Sequence, residues 1–108
     1  MRQQDLLSGV QRQLDRLSTG PLAAGLYIVS TPIGNLGDMT IRGLETLTSA
    51  QTILCEDTRT TGKLLERFAI RNRLQPYHEH NAAKVRPQIL LRLKAGEAIA
   101  LVSDAGMP

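Results

Sequence analysis

The sequence predicts an α/β fold, a mostly parallel open sheet with helices on both faces. Three observations lead to it. Short β-rich apolar runs at 26–30, 52–56, 73–77 and 98–103 alternate with stretches whose apolar residues recur at helical spacing. Four strands with three intervening helices require right-handed crossovers, which make the strands parallel. The 108 residues, 42% hydrophobic and 21% charged, suit a single core, and only Tyr27, Phe68 and Tyr77 are aromatic, so that core must be aliphatic.

Residues 1–20 read as a helical extension that packs on the body or frays. Leu6, Leu7, Val10, Leu14 and Leu17 follow the i, i+3, i+4 spacing of one helical stripe, and Ser18-Thr19-Gly20-Pro21 supplies a stop. The continuous apolar run at 26–30 is the mark of a strand buried on both faces. Pro32, Gly34 and Gly37 end it in a loop, and Thr40 can cap a helix with Ile41, Leu44, Leu47 and Ala50 along one side. The strand at 52–56 leads to a helix expected over 60–68, with Leu64, Leu65 and Phe68 on one side. After the weaker strand at 73–77, residues 81–95 carry a helical pattern interrupted by Pro87. A proline there removes a backbone hydrogen bond, so the expectation is a kink, or a helix that begins only near Arg86. Gly96 ends it, and Ala98-Ile99-Ala100-Leu101-Val102 is the clearest strand in the chain.

In open α/β sheets ligands bind beyond the carboxyl ends of the strands, and three of the four exits carry loops of unusual composition. The first runs Thr31-Pro32-Ile33-Gly34-Asn35-Leu36-Gly37-Asp38, where two glycines let backbone approach a ligand closely. It is neither a dinucleotide fingerprint nor a phosphate loop with its lysine. The second, Glu56-Asp57-Thr58-Arg59, sets two acids and an arginine at a strand exit. It serves either as a helix cap or as a carboxylate orienting a hydroxyl, with Arg59 gripping a phosphate. The third, Ser103-Asp104-Ala105-Gly106-Met107-Pro108, is small enough for a ligand to lie on bare backbone, and the chain stops inside it. The two histidines of His78-Glu79-His80-Asn81 lack further ligands for a metal, so the stretch reads as a polar loop capping the next helix.

The net charge of +3 is uneven: residues 59–94 hold nine basic and two acidic side chains, giving +7 there and −4 elsewhere. That segment is either a set of solvated helix faces or an attractor of polyanions. The single cysteine, Cys55, lies in an apolar run and reads as a buried small hydrophobe. No apolar run approaches the roughly 20 residues of a membrane span, and no secretory h-region is present. A reducing cytoplasm fits these features.

Taken together, the segments at 26–38, 56–59, 78–81 and 100–106 resemble, in order and spacing, the bacterial small-subunit ribosomal RNA ribose 2′-O-methyltransferases of the tetrapyrrole methylase superfamily. The family pattern has no counterpart for residues 1–20, which vary, and Pro87 departs from it. The resemblance implies that 21–108 is the first part of an N-terminal α/β methylase domain, with the rest of that domain and a second domain absent. S-adenosylmethionine would be the cofactor, held by Ser103, Asp104, Ala105, Gly106 and Met107. Pro32, Gly34, Asn35 and Leu36 would line the cleft that takes the reacting ribose. Asp57, Glu56 and Asp38 are the carboxylates to test as base or orienting group, and Arg59, Lys63 and Arg67 would contact RNA phosphates. The implied reaction is 2′-O-methylation of a cytidine ribose in the decoding region. The implied partner is small-subunit ribosomal RNA or the assembled small subunit, with no membrane and with a homodimer left open. The 108 residues alone are expected to be inactive. Two rival readings remain at this point: a superfamily methylase for a corrin precursor or other small substrate, and a non-catalytic RNA-binding module. The scarcity of stacking aromatics weighs against the second.

Overall fold

Every residue of Thr52–Cys55 is buried, because this strand has a strand on each side and a helix over each face. The computed structural model in which this is seen describes residues 3–17, 21–32 and 35–103. Its elements run α1 (Gln3–Leu17), β1 (Gly25–Ser30), a 3₁₀ turn (Leu36–Asp38), α2 (Ile41–Ser49), β2 (Thr52–Cys55), α3 (Thr58–Arg67), β3 (Leu74–Pro76), α4 (Ala82–Lys94) and β4 (Ala98–Ser103). The four strands form one all-parallel sheet in the order β1-β4-β2-β3.

That order fixes the layers. The steps from β1 to β2 and from β2 to β3 go the same way across the sheet, whereas the step from β3 to β4 goes back. A constant crossover hand then puts α2 and α3 on one face and α4 on the other. Two cores result. Val29, Leu47, Ile53, Cys55, Leu64, Leu65, Ala100 and Val102 pack on the α2–α3 face. Leu54, Ile89 and Ile99, with Val85, Leu93 and Leu101, pack on the α4 face. Successive strand residues alternate between the two, as a pleat of period two demands.

Several expectations need correction. β1 is not buried on both faces: Val29 is buried, but Leu26 and Ile28 are 48% and 56% exposed. Among the described residues β1 has β4 as its one sheet partner, and α4 packs chiefly over β4 and β2. α3 starts at Thr58 rather than Thr60, because the Asp57 carboxylate accepts the Arg59 amide (2.9 Å) and caps the helix there. α4 runs unbroken through Pro87, so the late start near Arg86 is not seen. The carbonyl that Pro87 cannot serve belongs to the exposed Ala83, where water can take the donor's place.

The helix ends show how the chain turns. In α4 the Gly96 amide donates to the Leu93 carbonyl and the Glu97 amide to the Arg92 carbonyl, with Gly96 at φ +96°. This is the glycine-terminated Schellman arrangement. Arg92 reinforces it by donating to Glu97 Oε1 (2.7 Å) and to the Thr52 hydroxyl. α3 ends the same way, Ile70 to Leu65 and Ala69 to Glu66, but with alanine at φ +54°. Asn72 then ties β3 to α2, donating to the carbonyls of Leu47 and Ala50 (both 2.8 Å). α1 forms as expected and touches α2, while Leu6 and Leu7 stay exposed. The side chains of Leu14 and Leu17 and the stop at 18–20 lie outside the described residues. No helix among the described residues is long and apolar enough to cross a membrane.

Candidate functional site

Because the strands are parallel, all four of their carboxyl ends lie along one edge of the sheet, where such folds place their ligands. The edge has two halves, set by strand order. Neighbours β1 and β4 make one half, β2 and β3 the other.

In the first half the exits of β1 and β4 are joined directly. The Thr31 amide and the Thr31 hydroxyl both donate to the Ser103 carbonyl, each at 3.1 Å. Thr31 is buried and the link is part-buried. Its role was missed in the sequence, where a threonine after an apolar strand has no distinctive look. Beyond it Pro32 is half-buried. Asn35 accepts the Gly37 amide on its side-chain oxygen (3.0 Å) and so starts the 3₁₀ turn. Leu36 packs, together with Met39, against the α2–α3 core. Asp38 stands exposed on the same turn. Gly34, Asp104, Ala105, Gly106 and Met107 lie outside the described residues, so of the expected cofactor loop only Ser103 is described.

In the second half, Glu56, Asp57, Thr58 and Arg59 from the β2 exit meet Pro76, His78, Glu79 and His80 from the β3 exit. Between them lies a polar cavity of about 510 Å³. Glu56 is exposed on its wall and makes no hydrogen bond or ion pair with the other described residues. Asp57 is committed: one carboxylate oxygen accepts the Arg59 amide and the other the Thr60 hydroxyl (3.3 Å). The Arg59 amide, then the Thr60 amide and the nearby guanidinium, hold its carboxyl below the usual carboxylate range. The Arg59 side chain is 90% exposed and 3.7 Å from the Asp57 carboxylate. Asp38, from the other half, is not among the described lining residues, so the cavity gathers two of the three expected carboxylates.

The histidine pair was read as part of a helix cap, and the structure corrects this. Asn81 makes no side-chain cap to α4. Its side-chain oxygen Oδ1 accepts the His78 amide (2.8 Å) and its side-chain Nδ2 donates to the Pro76 carbonyl (3.0 Å), bracing the turn from behind. The signal was present: a His-Glu-His run directly at a strand exit satisfies the rule that singled out the other three loops.

The basic residues of 59–94 do not share one face, because α3 and α4 lie on opposite sides of the sheet. Arg59, Lys63 and Arg67 fall at every fourth position of α3, and all three are exposed. They form a stripe about 12 Å long that starts at the cavity. Arg92 is drawn off into its ion pair with Glu97 at the opposite end of the strands.

A parallel α/β domain with a ligand edge built from strand-exit loops is the class these features define. Residues 25–108 match the family of Tetrapyrrole (Corrin/Porphyrin) Methylases, and the chain belongs to that family. It is 52% identical to Ribosomal RNA small subunit methyltransferase I of Mesorhizobium japonicum, over 82% of this chain and 30% of that protein. With the proteins of the same name from Synechocystis sp. and Escherichia coli O157:H7 it shares 55% and 53% identity. Both matches cover 77% of this chain, and 30% and 29% of the respective relatives. The chain therefore spans less than a third of the length of the curated relatives it matches.

Proposed function

We propose that this chain forms the first part of an S-adenosylmethionine-dependent methyltransferase. Its substrate would be the 2′-hydroxyl of a cytidine ribose in the decoding region of small-subunit ribosomal RNA. It would act in the cytoplasm on that RNA or on the assembled small subunit. One observation carries the reading: over about four fifths of its length the chain is more than half identical to proteins named Ribosomal RNA small subunit methyltransferase I.

The described part of the cofactor half fits such a ligand. Thr31 and Ser103 bring no charge to this exit, which suits a sulfonium that a cation would repel. When bound, S-adenosylmethionine supplies an electrophilic methyl group. Residues 103–107 would hold it, and Pro32, Gly34, Asn35 and Leu36 would shape the neighbouring cleft for the ribose. The chain's own work is to align the hydroxyl and to take its proton. Glu56 is our choice for the second task, supported by its being exposed and unpaired on the cavity wall. Asp57 is the weaker base, since its proton affinity is already lowered by the cap, and it serves by holding Arg59 and the start of α3. Asp38 stands exposed at the β1 exit as the other carboxylate to test. The α3 stripe of Arg59, Lys63 and Arg67 would bind phosphates leading away from the cleft.

The test is methyl transfer by the full-length protein to small subunits from cells that lack this modification, read by mass spectrometry of the digested RNA. The expected product is a single 2′-O-methylcytidine in the decoding region. A base methylation, or transfer only to a corrin precursor, overturns the reading. Glu56→Gln should lower kcat by roughly a hundredfold or more with the KM for S-adenosylmethionine unchanged.

A further inference from the structure

Besides Glu56, the cavity between the β2 and β3 exits has features that the transfer reaction does not use. We infer that it is a subsite for a nucleotide one or two steps from the methylated one, whose base stacks on His78 and His80 and whose phosphate pairs with Arg59. The inference rests on the RNA reading above and adds to it where the RNA is gripped.

Size and place come first. A volume of about 510 Å³ lies within the range of small-molecule sites and can take one nucleotide. β2 is the immediate neighbour of β4, and strands lie roughly 4.8 Å apart. The middle of the cavity is therefore about 10 Å along the edge from the middle of the β1–β4 half, two strand spacings away. One or two steps along an extended single strand cover such a distance, so a ribose at the β1–β4 half leaves a near neighbour over the cavity.

Chemistry comes second. The imidazoles of His78 and His80 meet edge to face, with centroids 5.8 Å apart and planes at 63°. Their faces are not spent on the core: the His80 side chain is 83% exposed and His78 is half-buried. His78 Nδ1 accepts the His80 amide (3.2 Å), which leaves the ring proton on Nε2 as a donor. The Asn81 brace holds the backbone of the turn, so the two histidines are already brought together before binding. Flat rings beside an exposed guanidinium are what an unstacked base and its phosphate require. The histidines thus supply the stacking surface that a chain so poor in aromatics otherwise lacks. Among the described residues no cluster of His, Cys, Asp or Glu is arranged to hold a metal ion.

The experiment uses the full-length protein with the paired change His78→Ala, His80→Ala, and the single changes His80→Ala and His80→Tyr. Affinity for a short fluorescein-labelled single-stranded RNA is read by anisotropy, S-adenosylmethionine affinity by calorimetry, and KM and kcat with small subunits. The paired change should weaken RNA binding about tenfold and raise the RNA KM, leaving cofactor affinity unaltered. His80→Tyr, which keeps a stacking face, should restore what His80→Ala loses; a purely structural histidine would not be rescued. Since His80 is largely exposed, the single variants stand even if the paired one does not fold. Unchanged RNA affinity in His80→Ala, failure of the tyrosine, or a parallel loss of cofactor binding overturns the subsite. Methyl transfer that proceeds with an unaltered RNA KM sinks the subsite and leaves the proposed function. Histidine-dependent RNA binding without any transfer does the reverse. Absence of RNA binding by the unmodified protein overturns both.

Discussion

Ala69 and Gly96 occupy the same position in two helix ends that close with the same hydrogen bonds, yet only one is glycine. A left-handed backbone costs an L-residue about 1–2 kcal/mol, and glycine gives back about 0.5–1 kcal/mol of that as unfolded-state freedom. Ala69→Gly should therefore stabilise the protein by about 0.5–1 kcal/mol, and Gly96→Ala should destabilise it by a similar amount, both measured by denaturant melts. No side chain crowds Gly96, so backbone strain alone is tested there. Asn72→Ala leaves the carbonyls of Leu47 and Ala50 without their donor and should cost about 1–3 kcal/mol in the same assay. Asp57 adds a pH dependence. Its carboxyl lies below the usual 3.8 in the folded protein, so its stabilisation is complete above that value and is lost as pH falls through the lower folded value. Asp57→Asn should thus melt below the parent near neutral pH, with the gap closing on acidification. Residue roles of this kind were half legible in advance. That Asp57 caps was one of two readings of its spacing, whereas the brace built by Asn81 depends on a turn whose geometry no spacing rule describes.

At the scale of elements, periodicity located every strand and helix among the described residues, because burial of one face repeats at a fixed interval whatever the rest of the chain does. Ends were less legible, as with α3, where a local cap decides the first turn. Pro87 is the one element-level conflict. Replacing it with alanine restores an amide for the Ala83 carbonyl and removes a clash worth about 3 kcal/mol, less up to about 1 kcal/mol of unfolded-state entropy. Pro87→Ala is expected to stabilise by about 2 kcal/mol, with slower hydrogen exchange confined to α4. The charges test a different point. Neutralising Arg59, Lys63 and Arg67 together should reduce the slope of log RNA affinity against log salt by about 2, three phosphates at about 0.7 each. Neutralising Lys84, Arg86 and Lys94 on α4 should leave the slope unchanged. Equal effects from both triples would mean that a diffuse field, rather than the α3 stripe, binds the RNA.

For the whole molecule, what the sequence could not reveal was order across the sheet. Parallel strands followed from the alternation, but which strand would lie at the end did not, and Leu26 and Ile28 read as buried until β1 was seen there. The same unknown hid the cavity, since Glu56 and His78 are far apart in the chain and become neighbours only because β2 and β3 are adjacent. It also made nine basic residues look like one surface when the reversed crossover divides them. The strand order has a temporal side as well. β2 and β3, with α3 between them, are close in sequence and can pair as soon as both have left the ribosome. β1 emerges first but must wait for β4: the Thr31–Ser103 link spans 72 residues. At about 5–20 residues per second of synthesis that wait is roughly 4–15 s. Through it the apolar residues of β1 have no sheet to join, so the first strand to be made is the last to be placed. Synonymous codons that slow translation between β1 and β4 should lengthen this exposure and lower the soluble yield, whereas the same slowing after β4 should not.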